Sequence, residues 1–161
     1  MPMDFGHSIR LASPDDAFLI ASLSRDLIEH GLGWSWTPLR VRRSIEDPDT
    51  SVILATRNSL PVGFGMMKFR DDEAHLLLLA IQPASARQGV GSALLGWLEA
   101  SARVAGIGQV YLEARAANTG GRAFYRRLGY GEIQTVPGYY RGLEASVRMA
   151  KDLWLQQPES A

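Results

Sequence analysis

The order of strand-like and helix-like segments in this 161-residue chain predicts a single mixed α/β domain. It should hold about seven strands, antiparallel in the N-terminal half with a parallel pair in the middle, and four helices. Three observations carry this expectation. Runs with a period near 2 and runs with a period near 3.6 follow one another as strand, two helices, three strands, helix, strand, helix, two strands. Ala74–Ile81 is an apolar run interrupted only by His75, which reads as a central strand buried on both faces. Gly89 and Gly91 then open a long amphipathic segment, so a helix crosses over and makes Ala74–Ile81 and Gln109–Ala114 parallel neighbours.

His7 to Ala12 is the first strand. Ser13-Pro14-Asp15-Asp16 supplies an N-cap, a first-turn proline and first-turn acids. The helix it starts carries Ala17, Leu19, Ile20, Leu23, Leu27 and Ile28 at helical spacing, with Gly31 as its expected C-terminal cap. Thr37-Pro38 starts a second helix that ends near Asp47-Pro48, and the intervening loop carries Trp34 and Trp36. Ser51–Thr56 and Val62–Phe69 form a hairpin joined through residues 57–61. The helix from Gly89 puts Val90, Leu94, Trp97, Leu98, Ala102 and Ala105 on its inner side and stops at Gly106. Gln109–Ala114 is a strand, Thr119–Leu128 a helix ended by Gly129, and Tyr130–Val136 and Ala145–Leu153 are the last strands. Residues 1–155 are read as the domain and 156–161 as a polar tail.

Composition excludes several function classes. Formal net charge is zero, and 15 Arg and 2 Lys are scattered, so no field points to nucleic acid or an anionic membrane. The absence of cysteine removes disulfides, thiol nucleophiles and thiolate metal sites. The N-terminal residues lack a basic and apolar signal pattern, and no 18-residue apolar run is present, so a cytoplasmic protein is expected. His7, His30 and His75 have no metal-ligand spacing, and no metal is expected. A dinucleotide fingerprint would need a third glycine where Leu94 stands, and no Gly-Lys-Ser/Thr of a triphosphate loop occurs.

The junction at Gly89 and Gly91 is suited to phosphate. Glycines let the backbone turn so that successive N–H groups point outward at a helix start, where the macrodipole adds about half a positive charge. Arg87 just ahead is a cation at a helix N-terminus, unfavourable until an anion offsets it. Phosphate at the end of such a strand is where open α/β sheets usually bind ligands.

Gly89-Val90-Gly91-Ser92-Ala93-Leu94-Leu95, followed by Leu112-Glu113-Ala114-Arg115, Asn118 and Ala123-Phe124-Tyr125-Arg126-Arg127-Leu128-Gly129-Tyr130, resembles the GNAT superfamily of acetyl-CoA-dependent N-acetyltransferases over nearly the whole chain. With Pro137-Gly138-Tyr139-Tyr140 and Val147-Arg148-Met149, the series is most similar to the bacterial ribosomal-protein-alanine N-acetyltransferases. One position departs: where the family's phosphate motif begins with Gln or Arg, the glycine alignment places Ala86. A frame shifted to Gln88 satisfies the motif; the glycine alignment is preferred, because main-chain amides do most of the phosphate work.

The resemblance implies acetyl-CoA as co-substrate, with phosphate at Arg87, Gln88, Gly89, Val90, Gly91 and Ser92. It implies a splayed strand pair admitting pantetheine along Leu79, Ala80 and Ile81, with a backbone N–H near Ala80 or Ile81 on the thioester oxygen. Tyr125 is implied as the acid for the leaving thiolate, with core packing as its other reading. Glu113, a carboxylate on an apolar internal strand, must be paired, protonated or working; the subgroup implies a base acting through water, and a salt bridge to Arg115 or another arginine is the alternative. Asn118 is implied near pantetheine and Tyr125, yet it is also an ordinary cap residue; Gly120-Gly121 beside it marks either mobility or close approach of cofactor. Trp34, Trp36, Tyr139 and Tyr140 fall in the loops that flank the acceptor entrance. His75 reads as a satisfied core histidine.

The function expected is acetyl transfer by direct attack of a primary amine, with a protein or peptide N-terminal α-amine favoured because its reference pKa, near 8, is far below that of lysine. A small-molecule amine (amino acid, polyamine or antibiotic) and, in another class, a non-catalytic acyl-CoA-binding module are the alternatives. The chain is expected to be a monomer or homodimer.

Overall fold

The computed structural model describes residues 6–140 and 144–155. Its strands are β1 (Ser8–Leu11), β2 (Thr50–Arg57), β3 (Leu60–Phe69), β4 (Glu73–Ile81), β5 (Gln109–Arg115), β6 (Gly131–Tyr140) and β7 (Glu144–Asp152). Its helices are α1 (Ala17–Leu27), α2 (Pro38–Glu46), α3 (Val90–Val104) and α4 (Thr119–Arg127). The strands form one sheet in the order β1-β2-β3-β4-β5-β7-β6, antiparallel except for β4 and β5. The crossover through α3 that follows β4 is the reason those two run the same way.

Local chemistry fixes the ends of these elements. A capping box between Ser13 and Asp16 opens a single 3-10 turn, Pro14–Asp16, which runs into α1. The Thr37 side chain accepts from Arg40 N at the start of α2. The expected cap at Gly31 is displaced: α1 ends at Leu27 with Ile28 as its cap, because Ser24 O accepts from both Ile28 N and Glu29 N. Gly31 has φ +79° in the turn beyond. The β2–β3 hairpin is tighter than its sequence suggests. Only Asn58 and Ser59 lie between the strands, at φ +50° and +64°, as a two-residue turn matched to strand twist requires. β6 extends to Tyr140, so Pro137-Gly138 lies within a strand whose register shifts between Val136 and Tyr140. Ala105, expected on the inner side of α3, is the exposed cap after it.

The sheet has a core on each face. Ile53, Met67, Leu76 and Leu112 pack with Leu94, Leu95 and Leu98 of α3, while Leu54, Phe64, Met66 and Leu78 pack with Ile20 and Val41 of α1 and α2. Each such side chain contributes about 1.5–3 kcal/mol on burial. β4 departs from the uniform burial expected of it. Met66 pairs with Leu78 and Met67 with Leu76, leaving Leu77 as an extra residue in a bulge. Ala74 and Leu76 therefore face the α3 core, Leu78 and Ala80 the opposite core, and Leu79 and Ile81 the α3 side again. The other residues of the strand, His75 among them, are half-buried.

Among the described residues, no helix is long and apolar enough to cross a membrane.

Candidate active site

Parallel pairing of β4 and β5 ends at Leu76 and Leu112. Beyond it β4 continues to Ile81 against β3, and β5 continues to Arg115 against β7. Held by different neighbours, the two strands part. A cavity of about 760 Å³ fills the gap, lined by 75–79 of β4, 112–115 of β5, the segment after α1, and Asn118 and Tyr125 of the α4 region. Gln82 N donates to Val62 O at 2.8 Å. Main-chain groups alternate sides along a strand, so Ala80 directs its N–H at β3, whereas Leu79 and Ile81 direct theirs into the opening. Of the three, only Leu79 lines the cavity.

At the far end of β4, the turn before α3 has Arg87 at φ +62° and Gly89 at φ +81°. Ala93 N is the first amide to bond back along the helix, to Gly89 O at 3.0 Å. The N–H groups of Val90, Gly91 and Ser92 thus have no acceptor within the helix and suit an anion. Gly91 plays a different part from the one its spacing suggests. It is helical, and a Cβ there would meet the Phe124 ring at 3.2 and 3.3 Å, so its smallness lets α4 pack against α3. Arg57, at the end of β2, joins Arg87, Gln88 and Gly89 around a depression of about 600 Å³. Two guanidinium groups beside converging amides fit the phosphates of CoA. Arg57 was not apparent from sequence, because only the sheet brings β2 to this corner.

Among the described residues, neither Arg115 nor another arginine side chain forms an ion pair with Glu113. Its Oε2 meets His75 Nε2 across the split. The side chains are 19% and 38% exposed, the imidazole being the more open of the two, and both line the cavity. The hydrogen bond with His75 holds the Glu113 carboxyl below the usual carboxylate range, against partial burial that pushes the other way, with Arg148 adding a smaller favourable charge. His75 is therefore a cavity residue rather than a satisfied core histidine; its polarity within the leucine run was the available signal.

Tyr125 lines the same cavity, edge-on to Phe124 at 5.2 Å and to Tyr130 at 5.9 Å. The Tyr130 hydroxyl donates to buried Glu99 at 2.7 Å, and Lys151 reaches Glu99 at 3.0 Å, which anchors the floor behind Tyr125. Asn118 caps α4, its Oδ1 accepting from Gly121 N at 3.0 Å. A Cβ on Gly121 would meet Asn118 Cγ at 2.8 Å, so close approach of the capping side chain accounts for that glycine.

The tryptophans separate. Trp34 donates Nε1–H to Ala21 O at 3.1 Å, packs on the α1–α2 core under Arg25, and does not line the cavity; its role is structural. Trp36 does line it, with the Arg40 guanidinium 3.8 Å from its ring centre. The side chains of Tyr139 and Tyr140 lie outside the described residues. Two further residues shape the entrance. Buried Glu29 accepts from Ser35 N and Oγ, Trp36 N and Ser24 Oγ, fixing the loop. Arg115 Nη2 donates to Ile28 O at 2.9 Å while Nε lies 3.4 Å from Glu144, tying the end of α1 to the start of β7.

Comparison with known proteins places this architecture among relatives. The model of the family described as Acetyltransferase (GNAT) family matches residues 19–130. The [Ribosomal protein bS18]-alanine N-acetyltransferase of Escherichia coli is 35% identical over 98 residues, which cover 59% of this chain and 66% of that protein, just under two thirds of its length. An N-alpha-acetyltransferase of Sulfurisphaera tokodaii is 32% identical over 82 residues, 50% of this chain and 49% of that one. The crystal structure of the ribosomal-protein-S18-alanine N-acetyltransferase from Escherichia coli superposes with a TM-score of 0.80 at 25% identity, over 96% of this chain and 99% of that one.

Proposed function

The chain belongs to the acetyltransferase (GNAT) family, and from that premise we propose that it moves an acetyl group from acetyl-CoA to the α-amino group at the N-terminus of a protein or peptide. The observation that carries this reading is the parted β4–β5 pair, whose cavity has Tyr125 on one wall and the Glu113–His75 pair on its floor. Similarity to enzymes named for alanine and α-amine acetylation supports the acceptor class.

The roles follow from charge and position. CoA phosphates are held by the first-turn amides of α3 together with Arg87 and Arg57. An outward-facing amide of β4, from Leu79 or Ile81, polarises the thioester carbonyl. A neutral amine attacks, the C–N bond forms, and the C–S bond breaks. A phenol of reference pKa about 10 keeps its proton at neutral pH and donates it to a thiolate of reference pKa about 8.5, which suits Tyr125. The paired Glu113 and His75 side chains are the polar groups at which the acceptor's ammonium proton is drawn off. Trp36 and Arg40 form the wall against which the acceptor chain lies.

The test is thiol release from acetyl-CoA across a panel of N-terminal peptides, free amino acids, polyamines and aminoglycosides. Turnover highest on peptides with small first residues is expected. Turnover confined to small amines would move the acceptor class, and CoA binding without turnover on any amine would replace the enzyme with an acyl-CoA-binding module.

A further inference from the structure

His75 stands one residue before the last β4–β5 rung and Glu113 one residue after it, so the split places an imidazole and a carboxylate diagonally across its own apex. We propose that His75 is the proton-accepting residue of this chain, with Glu113 as the positioning residue that holds its ring. The inference rests on the acetyl-transfer reading and names the group that makes the acceptor amine neutral.

Three observations lead to the imidazole rather than the carboxylate. Both side chains line the cavity, and His75 is the more exposed of the two. The carboxylate is engaged by His75 Nε2, which assigns the ring proton to that nitrogen as donor and leaves Nδ1 as acceptor; among the described residues no group bonds Nδ1. Finally, an α-ammonium of pKa about 8 lies roughly 1.5 units above a reference imidazole and about 4 above a carboxylate, so proton transfer to the ring is much less uphill. The downward displacement of the Glu113 carboxyl widens that difference.

Proton balance closes. The ammonium gives one proton to Nδ1, directly or through a water, and the imidazolium is stabilised by Glu113. The amine attacks, and the nitrogen of the tetrahedral adduct carries a second removable proton. As the C–S bond breaks, Tyr125 protonates the thiolate and is reprotonated by that nitrogen. His75 then releases its proton to solvent, one proton per turnover.

Among the described residues, the ring is neighboured by Lys68 on β3, by Tyr111 and Glu113 on β5 and by Arg148 stacked over Tyr111 from β7, and the same cavity is lined by Glu29, His30, Arg40, Arg115 and Glu144. Glu29 is occupied by the loop amides and Lys68 lies 3.6 Å from Asp47, so Glu113 is the anion that bears on His75 most directly.

The experiment compares the pH dependence of kcat/KM for wild type, H75Q and E113Q on the best peptide, with CoA affinity and thermal melting as controls for folding. H75Q is expected to lower kcat by tenfold or more and to remove the acidic limb, whereas E113Q lowers kcat but keeps that limb. An H75Q enzyme with unchanged kcat overturns the proposal, and so does a reduced kcat with the limb intact, since a merely structural role would give that. Should H75Q fail to fold, nitrogen-15 NMR of wild-type histidines decides: a ring protonated at Nε2 when neutral supports the assignment, and one protonated at Nδ1 overturns it. A wild-type enzyme inactive on all amines would instead defeat the acetyl-transfer reading itself.

Discussion

Glu113 on β5 contacts His75 on β4 across the last rung of the sheet's single parallel pair, at the point where the two strands part. Neither residue can be moved along its strand without losing this contact. One step in either direction would turn the side chain to the other face of the sheet, because successive residues of a strand alternate. The point of divergence and the acid-base pair are thus set by the same register.

Removing the Tyr125 hydroxyl tests the leaving-group step. Tyr125→Phe keeps the ring that packs on Phe124 and Tyr130, so CoA affinity by calorimetry should stay within about twofold while kcat falls by about tenfold or more. A rate equal to wild type would remove Tyr125 from the scheme.

The two glycines of the phosphate turn should fail in different ways. Gly89→Ala places an L-residue at φ +81°, a strain of about 1–2 kcal/mol that relaxes as the turn opens and the amides diverge. CoA affinity should fall by roughly tenfold. Gly91→Ala instead pushes on the Phe124 ring, and through it on Tyr125, so kcat should drop more than affinity. Equal losses in both parameters for both variants would contradict the division.

Much of this was legible in the chain. Thr37-Pro38, Ser13-Pro14 and Gly89 are local signals, settled within one turn of backbone, and they set element starts as expected. The parallel crossover followed from a helix between two apolar runs. The leucine run was misleading because a period-2 pattern cannot show an inserted residue when every neighbour is also leucine. His75 was misassigned for a related reason: its partner lies 38 positions away and becomes adjacent only once β4 and β5 pair. Trp34 and Trp36 are two residues apart in one loop, and it takes the Trp34 bond to Ala21 O and the Glu29 contacts to Ser35 and Trp36 to turn one to the core and the other to the cavity.

Loosening the entrance should affect the acceptor and not the cofactor. Arg115→Ala removes the bond to Ile28 O and the pairing with Glu144. The acceptor KM should rise several-fold with CoA affinity unchanged. A rise in the KM for acetyl-CoA alone would place Arg115 elsewhere in the cycle.

Acid should weaken the N-terminal cap in a defined window. Two donors from Arg10 and one from Ser13 N hold the Asp16 carboxyl at about 2. The folded state therefore releases this proton more readily than the unfolded chain, whose carboxyl titrates near 3.9. Its contribution is complete above about pH 4 and is lost as pH falls toward 2. Asp16→Asn should cost about 1 kcal/mol near neutrality by urea unfolding, less at high salt because Arg10 is half exposed. The difference from wild type should vanish near pH 2, and a constant difference across that range would assign the cap's value to shape rather than charge.

The bulge at Leu77 has a consequence for how this chain tolerates change. Exchanging one leucine for isoleucine or methionine in 76–79 alters volume by little and is absorbed locally. Losing a codon there removes the extra residue, so both halves of the strand keep their faces but the local bend and added twist of the bulge are lost. Homologous chains should therefore vary freely in the identity of these four residues while keeping their number.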